Sequence, residues 1–285
     1  MAIKNFIPTV WNAALLTEFR QLAIAATLCN RSYEGDAVKG NSVKITTALP
    51  IAVKDYATGV VSDGSNGTKP RTTAPDDVTT TQISLNIDQE KSFDFKIDDI
   101  DRHQAAGDLS EFARSAAYGL VEDADKWILA QIVAGAATGN KLTGALADNG
   151  EAVWNVIRDL RKALAKTNTP NDSRVLIVNA EFEARLLGFH SKLTAVDMSG
   201  SPAGLREAFL GRVLGFDVYT SENLPVTNKA MAVAFHKSAF GFVSQITNIE
   251  AMRDIDSFAD RLRGLNVYGG VAVRPTAIAT FMATS

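Results

Sequence analysis

The stretch from Lys39 to Lys96 constrains the fold most, because it is patterned like β-structure yet carries too few apolar side chains to bury a core of its own. Apolar residues recur at alternate positions in both halves, at Val43, Ile45, Ile83, Leu85, Ile87, Phe93, Phe95 and Ile97. Residues 57–75, between the halves, are rich in Gly, Ser, Thr, Asn and Pro. This pattern predicts a long two-stranded hairpin with an irregular apex.

A hairpin of this kind is not stable by itself in water. Ordering about fifty residues costs backbone entropy of about 1–2 kcal/mol for each residue. Contacts outside the hairpin must offset that cost. The sequence therefore favours a subunit that its neighbours complete over a self-contained enzyme.

Composition narrows the class of protein further. The chain has 285 residues, of which 46% are hydrophobic, and a net charge of −3. That length allows one large domain or two modest ones. No cluster of lysines and arginines is as dense as in proteins that recognise a nucleic-acid sequence. The single cysteine, Cys29, excludes an intramolecular disulfide. No apolar run is long enough to cross a bilayer and the first residues do not resemble a signal peptide, so no membrane partner is expected.

A long amphipathic helix is predicted from Asp108 to about Ala137. Asp108 and Glu111 form a plausible capping box, and Gly139 with Asn140 ends the helix. Apolar residues fall four apart along it, at Phe112, Ala116, Leu120, Ala124, Ile128 and Ile132. The predicted polar face comprises Glu111, Ser115, Tyr118, Glu122 and Asp125. At a rise of 1.5 Å per residue the helix would span about 45 Å, which suggests a strut with a sheet along one side.

The first 33 residues contain a shorter helical stripe after Pro8 and Thr9, formed by Trp11, Leu15, Phe19 and Leu22. The stripe could dock on the core of its own subunit or on a neighbour. This segment has three basic residues, Lys4, Arg20 and Arg31, against one acidic residue, Glu18. This excess of positive charge either has no function or indicates an arm that faces nucleic acid or an acidic partner.

The region from about 148 to 252 reads as α/β. A helix is predicted around Val153–Leu164, a buried strand over 175–178, and a helix capped by Asn179 that runs to Leu187. Further strands are predicted over 213–219, 231–235 and 249–252. The tail, 265–282, is strand-like, with interruptions at Gly269-Gly270 and Pro275. We expect it to return to the long helix, which would make the α/β region an insertion.

No constellation of catalytic, cofactor-binding or metal-binding residues emerges, so the chain is predicted not to be an enzyme. The histidines lie far apart and read as surface or packing residues: His103, His190 and His236. Cys29 follows an apolar stretch and is predicted to be a small buried hydrophobe. The run from Gly64 to Lys69 lacks the spacing of a phosphate loop. The acidic residues read as solvated or intersubunit surface: Asp88, Glu90, Asp94, Asp98, Asp99, Asp101, Glu122, Asp123 and Asp125.

Two short motifs carry a resemblance to a known family. Arg274-Pro275-Thr276-Ala277-Ile278, followed by Thr280-Phe281, resembles the last strand of tailed-phage major capsid proteins of the HK97 fold. The opening residues resemble the N-terminal arm of capsid proteins from actinobacterial siphophages. The order of elements agrees as well, which implies an α+β, HK97-like capsid fold with an N-terminal arm, an extended β-hairpin loop, a long spine helix and an inserted axial α/β domain.

The resemblance implies a division of the chain into domains and a function. The arm would cover residues 1–35, the extended loop 36–97, the peripheral domain with the spine helix 98–147, the axial domain 148–252, and the closing strands of the peripheral domain 253–285. Such subunits form pentamers and hexamers that tile an icosahedral shell around packaged double-stranded DNA, which they contact without sequence specificity. They become part of the virion after assembly in the host bacterial cytoplasm.

The resemblance also bears on partners. It implies a portal and allows for a cement or decoration protein, and because the arm starts at Met1 we expect a separate scaffolding protein. Some relatives cross-link a loop lysine to an asparagine of a neighbour, with a glutamate as base. Here Phe258 and Leu265 occupy the corresponding positions, although Lys54 and Lys69 could lie on the loop. No covalent cross-link is therefore expected.

Two other functions are considered. An encapsulin-like compartment would share the fold but house a cargo enzyme, and it would assemble without scaffold or portal. An enzyme with a long dimerisation arm would need a polar constellation that the sequence does not provide.

Overall fold

The computed structural model describes residues 23–35, 40–48, 51, 53, 75, 77–99, 110–188, 211–226 and 228–284. Several predictions lie outside these residues, among them the helical stripe over 11–22, nearly all of the apex over 57–75 and the helix start at Asp108. The helices are α1 (Ala25–Leu28), α2 (Ser110–Gly135), α3 (Gly150–Lys166) and α4 (Ala180–Leu186). The strands are β1 (Ser42–Ala48), β2 (Thr80–Asn86), β3 (Gln89–Asp98), β4 (Lys141–Gly144), β5 (Arg174–Val178), β6 (Arg212–Val213), β7 (Phe216–Thr220), β8 (Met231–His236), β9 (Phe240–Arg253), β10 (Ala259–Ala272) and β11 (Ile278–Ala283).

The stem of the predicted hairpin is present. Strands β1 and β2 pair antiparallel, from Ser42 opposite Asn86 to Ala48 opposite Thr80. The prediction was wrong for the last part of the stretch, since β3 leaves the hairpin and pairs with β10 in a three-stranded sheet of order β3-β10-β9. The alternating pattern hides this change because it continues into Phe93 and Phe95.

The hairpin stem also packs on its own chain, whereas the sequence suggested support from a neighbour. One face of the stem is buried against Val243 of β9 and Val267 of β10, through Val43, Ile45, Leu85 and Ile87. The backbone approaches β10 so closely that a Cβ at Gly269 would lie 2.1 Å from the carbonyl oxygen of Asn86. Gly269 therefore marks a packing contact, and β10 continues through the Gly-Gly pair that was predicted to interrupt it.

A six-stranded sheet of order β4-β11-β8-β5-β7-β6 contains the largest core. Helices α1 and α2 cover one face, where Ile177, Phe235 and Ile278 are fully buried. Helices α3 and α4 cover the other face, where Leu176 and Phe281 are buried. All five residues of β5 are buried, as expected for a strand between two helical layers.

The predicted helices that flank this sheet are confirmed. Asn149 caps α3 by accepting a hydrogen bond from the Ala152 amide at 2.7 Å. The apolar stripe of α3 is fully buried, at Val153, Ile157, Leu160 and Leu164. Asn179 caps α4 by accepting from the Phe182 amide at 3.2 Å. Both caps follow the preference of asparagine for the residue before a helix.

Three strand predictions are corrected by the pairing. The strand predicted over 213–219 is a small hairpin, because Leu214 and Gly215 form a turn with φ of 47° and 83°. The segment 249–252 belongs to β9 and pairs with β10. Strand β11 lies between β4 and β8 in the six-stranded sheet, although its residues were grouped with the peripheral domain. The domain boundaries themselves stay a prediction.

The long helix is confirmed as α2, whose 26 residues span about 39 Å. The two halves of α2 differ in burial. Ile128, Leu129 and Ile132 are fully buried in the second half, whereas Phe112, Tyr118 and Val121 in the first half are each half-exposed.

Candidate intersubunit surface

One face of the three-stranded sheet carries charged residues that pair within the chain. Arg261 on β10 donates from Nε to Oδ1 of Asp94 on β3 at 2.8 Å. Arg263 donates from Nη2 to Oε2 of Glu250 on β9 at 2.6 Å. These hydrogen bonds lower the pKa of both carboxyl groups below their ordinary values. The predicted acidic surface is thus neutralised here by arginines of its own sheet.

A cavity of about 310 Å³ lies among these charged residues. Asp94, Glu250 and Arg263 line it, together with Leu265 and the ring of Phe93. The ring packs across Gly264, where an added Cβ would lie 2.3 Å from a ring carbon. Because the charged side chains already pair with one another, the cavity offers no uncompensated charge to a small ion.

The β9–β10 turn, residues 254–258, is held in shape by hydrogen bonds. Asp254 accepts from the Ile255 amide at 3.1 Å and from the Ser257 hydroxyl, and the latter bond lowers the pKa of Asp254. The Asp254 amide donates to the Ala259 carbonyl at 2.9 Å, and the Asp99 amide donates to the Phe258 carbonyl at 2.9 Å. The turn is therefore a defined structure.

Arg253 reinforces the base of this turn. Its Nη1 donates to Asp99 Oδ1 at 2.8 Å and to Asp260 Oδ1 at 3.1 Å, so it joins the end of β3 to both strands of the turn. These hydrogen bonds raise the pKa of Arg253, which stays charged. The ion pairs are exposed, so they fix the geometry of the turn more than they stabilise the fold.

The side chains that this turn presents to solvent are apolar. Ile255 is 97% exposed and Phe258 is 81% exposed. Two large apolar side chains on an ordered turn favour contact with another protein surface. We refer to residues 254–258 as the peripheral turn. One of the two predicted cross-link positions, Phe258, lies on it; the other, Leu265, lies on β10 opposite Ser92 and Asn248.

Asp125 occupies a position that sequence reasoning missed. It was predicted on the polar face of the long helix, but its side chain is 2% exposed. Its Oδ1 accepts from the backbone amides of Ile24 at 2.9 Å and Ala25 at 2.7 Å, and its Oδ2 accepts from Asn223 Nδ2 at 2.8 Å. One carboxylate thus joins the start of α1, the long helix and the loop after β7. No local pattern identifies such a residue, because its partners lie about a hundred positions away.

Two other predicted residues are placed near this junction. Cys29 is buried as predicted, and burial, with a smaller contribution from Asp125, raises the pKa of its thiol. Asp123 is half-exposed on the helix surface, as predicted, and it also accepts from the Tyr268 hydroxyl at 3.0 Å and lies 3.4 Å from Lys91 Nζ. The Tyr268 ring meets Trp127 edge-on at 5.4 Å. Together these contacts fix α2 on the three-stranded sheet.

The remaining candidate residues are dispersed. His236 Nδ1 accepts from the Ser238 amide at 3.2 Å, and burial lowers its pKa. Arg31 pairs with Glu34 at 2.8 Å. Within the described ranges, no group of three or more His, Cys, Asp or Glu residues could hold a metal ion. Several other predicted candidates lie outside those ranges: His103, His190, Asp101, Lys4, Glu18, Arg20, Lys54, Lys69 and the run 64–69.

The sequence model of the phage capsid protein family matches residues 80–281, which include the three-stranded sheet, α2 and nearly all of the six-stranded sheet. The chain belongs to the phage capsid protein family. It is a major capsid protein that forms a shell. No curated protein sequence matches the chain.

Solved structures extend the match of this capsid protein to nearly the whole chain. A structure from Mycobacterium phage Che8 is 44% identical, with a TM-score of 0.89 over 98% of each chain. The capsid structure of the cyanophage P-SCSP1u is 16% identical, with a TM-score of 0.81 over 100% of this chain and 95% of the other. The mature capsid of bacteriophage PhiM1 is 15% identical, with a TM-score of 0.76 over 98% and 93%. The fold is that of the HK97 capsid proteins.

These comparisons favour the phage capsid over the encapsulin-like compartment. None of the helices in the described part of the capsid protein combines the length and the hydropathy needed to cross a membrane.

Proposed function

We propose that this capsid protein assembles as pentamers and hexamers into an icosahedral shell that encloses packaged double-stranded DNA. Assembly takes place in the bacterial cytoplasm with a separate scaffolding protein and a portal, and a cement protein is an optional addition. The observation that carries the proposal is the match to the Che8 structure over 98% of both chains at 44% identity. Identity at this level over a full domain implies similar surfaces as well as a similar core.

The contact surfaces support assembly by many weak interfaces. The peripheral turn presents Ile255 and Phe258, and the described residues nearest the hairpin apex include Ile51 and Val53, which are also largely exposed. Burying apolar surface contributes about 25 cal/mol for each Å². Such contacts recur for every subunit of a symmetric shell, so a modest contribution at each is sufficient.

The proposal also assigns the protein a structural role without catalysis. On the three-stranded sheet Arg261 pairs with Asp94 and Arg263 with Glu250, and Asp125 accepts three hydrogen bonds. Side chains that are paired or hydrogen-bonded in this way hold the fold in shape. The shell is held by non-covalent contacts, since Phe258 and Leu265 have no group that could form an isopeptide bond.

Electron microscopy of the expressed protein tests the proposal. Expression with the scaffolding protein of the same phage should give closed particles of uniform size, whereas expression alone should give irregular or tubular assemblies, or soluble subunits. Uniform small shells from the protein alone would instead support the compartment. A discrete monomer or dimer under both conditions would contradict a shell function.

Deletion of residues 57–75 tests the role of the extended loop. We expect the deleted protein to keep its secondary structure by circular dichroism and to lose normal particles under the same co-expression conditions. A matched control replaces the same residues with a Gly-Ser segment of equal length, which separates loss of sequence from loss of length. Normal particles from the deletion would contradict the proposed role of the loop.

A further inference from the structure

Two short connections carry the chain between the two larger sheets, and they lie against each other. The first leads from β8 to β9 through a single-turn 3-10 helix, Lys237–Ala239. The second leads from β10 to β11 through another, Pro275–Ala277. The Arg274 amide donates to the Ala239 carbonyl at 3.0 Å, which ties the second connection to the first. The shape of the first connection therefore bears on how the two sheets are joined.

A histidine side chain caps the first connection. His236, the last residue of β8, accepts a hydrogen bond at Nδ1 from the Ser238 amide at 3.2 Å, and Nδ1 lies 2.8 Å from the Ser238 hydroxyl oxygen. A backbone amide can only donate, so Nδ1 carries no proton and the neutral ring holds its proton on Nε2. Protonation turns Nδ1 into a donor. The Ser238 hydroxyl oxygen can accept from it, but the Ser238 amide then loses its acceptor.

The surroundings of His236 also favour the neutral ring. Nε2 is buried and has no hydrogen-bond partner among the described residues. Burial lowers the pKa of His236; Asp172 raises it, whereas Arg274 and Arg174 lower it further. Arg174 is the backbone partner of His236 on β5, Arg274 precedes the second 3-10 helix, and the next residue along the chain, Lys237, is also basic. A proton on this ring is therefore poorly accommodated.

We propose that protonation of His236 loosens the connection between β8 and β9, so that the paired connections form a pH-sensitive joint between the two sheets. The proton removes the acceptor of the Ser238 amide and places a charge near Arg174 and Arg274. The first connection then opens more often, and the second follows because the Arg274 amide is bonded to Ala239. This inference goes beyond the proposed shell function, since it concerns the response of a single subunit to acid.

The pH range follows from the two states of the ring. When the connection opens, His236 reaches water and its pKa returns to the ordinary value of 6.5. The closed state has a lower pKa, so its stabilisation is complete above about pH 6.5 and is lost as the pH falls through the lower value. At pH 5.5, one unit below 6.5, the opening equilibrium should have increased by about threefold to tenfold.

Hydrogen exchange of the purified subunit between pH 7.5 and 5.5 tests the inference. Exchange rates are divided by the intrinsic rate at each pH, which leaves the opening equilibrium. Residues 237–240 and 274–277 should lose protection by about threefold to tenfold, whereas residues 157–164 of α3 should keep theirs. Constant protection in the two connections would overturn the inference. An equal loss in α3 would overturn it too, because the subunit would then be opening as a whole.

His236→Asn separates the proton from the cap. Asparagine keeps a side-chain oxygen that can accept from the Ser238 amide, but it takes up no proton in this range. Protection of both connections in this variant should not depend on pH. The matched control, H103N with H190N, leaves His236 as the single histidine of the chain and should retain the full pH dependence. A pH dependence that survives in His236→Asn, or disappears in the control, would refute the role of His236.

Arg274→Gln and Asp172→Asn provide a second measurement that keeps the histidine. Both side chains belong to exposed residues, so neither substitution disturbs the core. Because the two charges act on the ring in opposite directions, the midpoint of the loss should move to higher pH in Arg274→Gln and to lower pH in Asp172→Asn. Unchanged midpoints would contradict the inference. Particle formation is scored separately at pH 7.5, where the ring is neutral, so a failure here leaves the shell function standing.

Discussion

The two larger sheets of this subunit differ in how far their residues are buried. The six-stranded sheet is covered by helices on both faces, and its strand β5 is buried at every residue. The three-stranded sheet alternates exposed and half-buried residues along the whole of β3 and ends in a turn with two exposed apolar side chains. Most of the first sheet lies in the core, whereas the second ends in an ordered turn whose exposed apolar side chains we propose as contact surface.

The difference teaches how a shell protein separates folding from assembly. In the six-stranded sheet, apolar side chains supply the free energy of folding. At the end of the three-stranded sheet next to the peripheral turn, hydrogen bonds and ion pairs such as Arg261–Asp94 fix the shape, and the apolar side chains of the turn are exposed. At the other end of this sheet Val243 and Tyr268 are fully buried. Equivalent substitutions should therefore have opposite consequences in the two regions.

The largest effect is expected in the six-stranded sheet. Phe235 is fully buried between Val175 and Ile278 in the pairing. Phe235→Ala should lower the free energy of unfolding by about 3–5 kcal/mol, because it leaves a cavity in a close-packed core. Urea denaturation followed by circular dichroism measures the change. A loss below 1 kcal/mol would mean that this sheet is not the main source of stability.

Asp125 tests the junction between the regions. Asp125→Ala removes the acceptor for two backbone amides and for Asn223, so we expect a loss of about 2–3 kcal/mol. Asp125→Asn retains one acceptor oxygen and should cost less. Urea denaturation of both variants checks the order. If alanine and asparagine were equally harmless, the carboxylate would have no structural role.

Gly269 tests the contact between the hairpin stem and β10. Gly269→Ala places a Cβ 2.1 Å from the Asn86 carbonyl oxygen, and a backbone shift should cost about 1–3 kcal/mol. Gly139→Ala is the matched control, because a Cβ there meets nothing within 4 Å. Thermal unfolding and hydrogen exchange of residues 42–48 and 80–86 report the change. Equal behaviour of the two variants would refute the close packing.

The ion pairs of the three-stranded sheet should give a small dependence on pH. The pKa values of Asp94 and Glu250 are lower in the folded state, so their contribution to stability is complete above their unfolded pKa of about 4 and is lost as the pH falls through the folded values. The double variant D94N and E250Q should show a shallower decline in Tm below about pH 4 than the unmodified protein. Identical declines would rule out this contribution.

The smallest effect on stability is expected at the peripheral turn. Phe258→Ala repeats the substitution made at Phe235, but at a residue that is 81% exposed, so the free energy of unfolding should change by no more than about 0.5 kcal/mol. Particle yield in co-expression should nevertheless fall, which electron microscopy and sedimentation measure. Normal particle yield would show that the turn is not a contact surface.

The sequence predicts best the elements whose pattern is local. The stripe of α3 and the cap Asn179 depend on neighbouring residues, and the structure agrees. Asp125 could not be assigned, because a charged residue at a helical position reads as surface until its distant partners are known. The change of sheet between β2 and β3 was hidden for a related reason: Ile87 and Phe93 are six residues apart, so the alternation stays in phase across the polar residues between them. Pairing between distant strands, as for β3 with β10, is not encoded in local periodicity.

The position of β11 has a consequence for timing. This strand lies between β4 and β8, and its residues are translated after those of all the other strands in the six-stranded sheet. Strands β4 and β8 are joined in the sheet only by residues 278–283, and contacts of such long sequence separation form slowly. A chain cut short before residue 278 lacks the strand that joins β4 to β8, so we expect it to leave the six-stranded sheet incomplete.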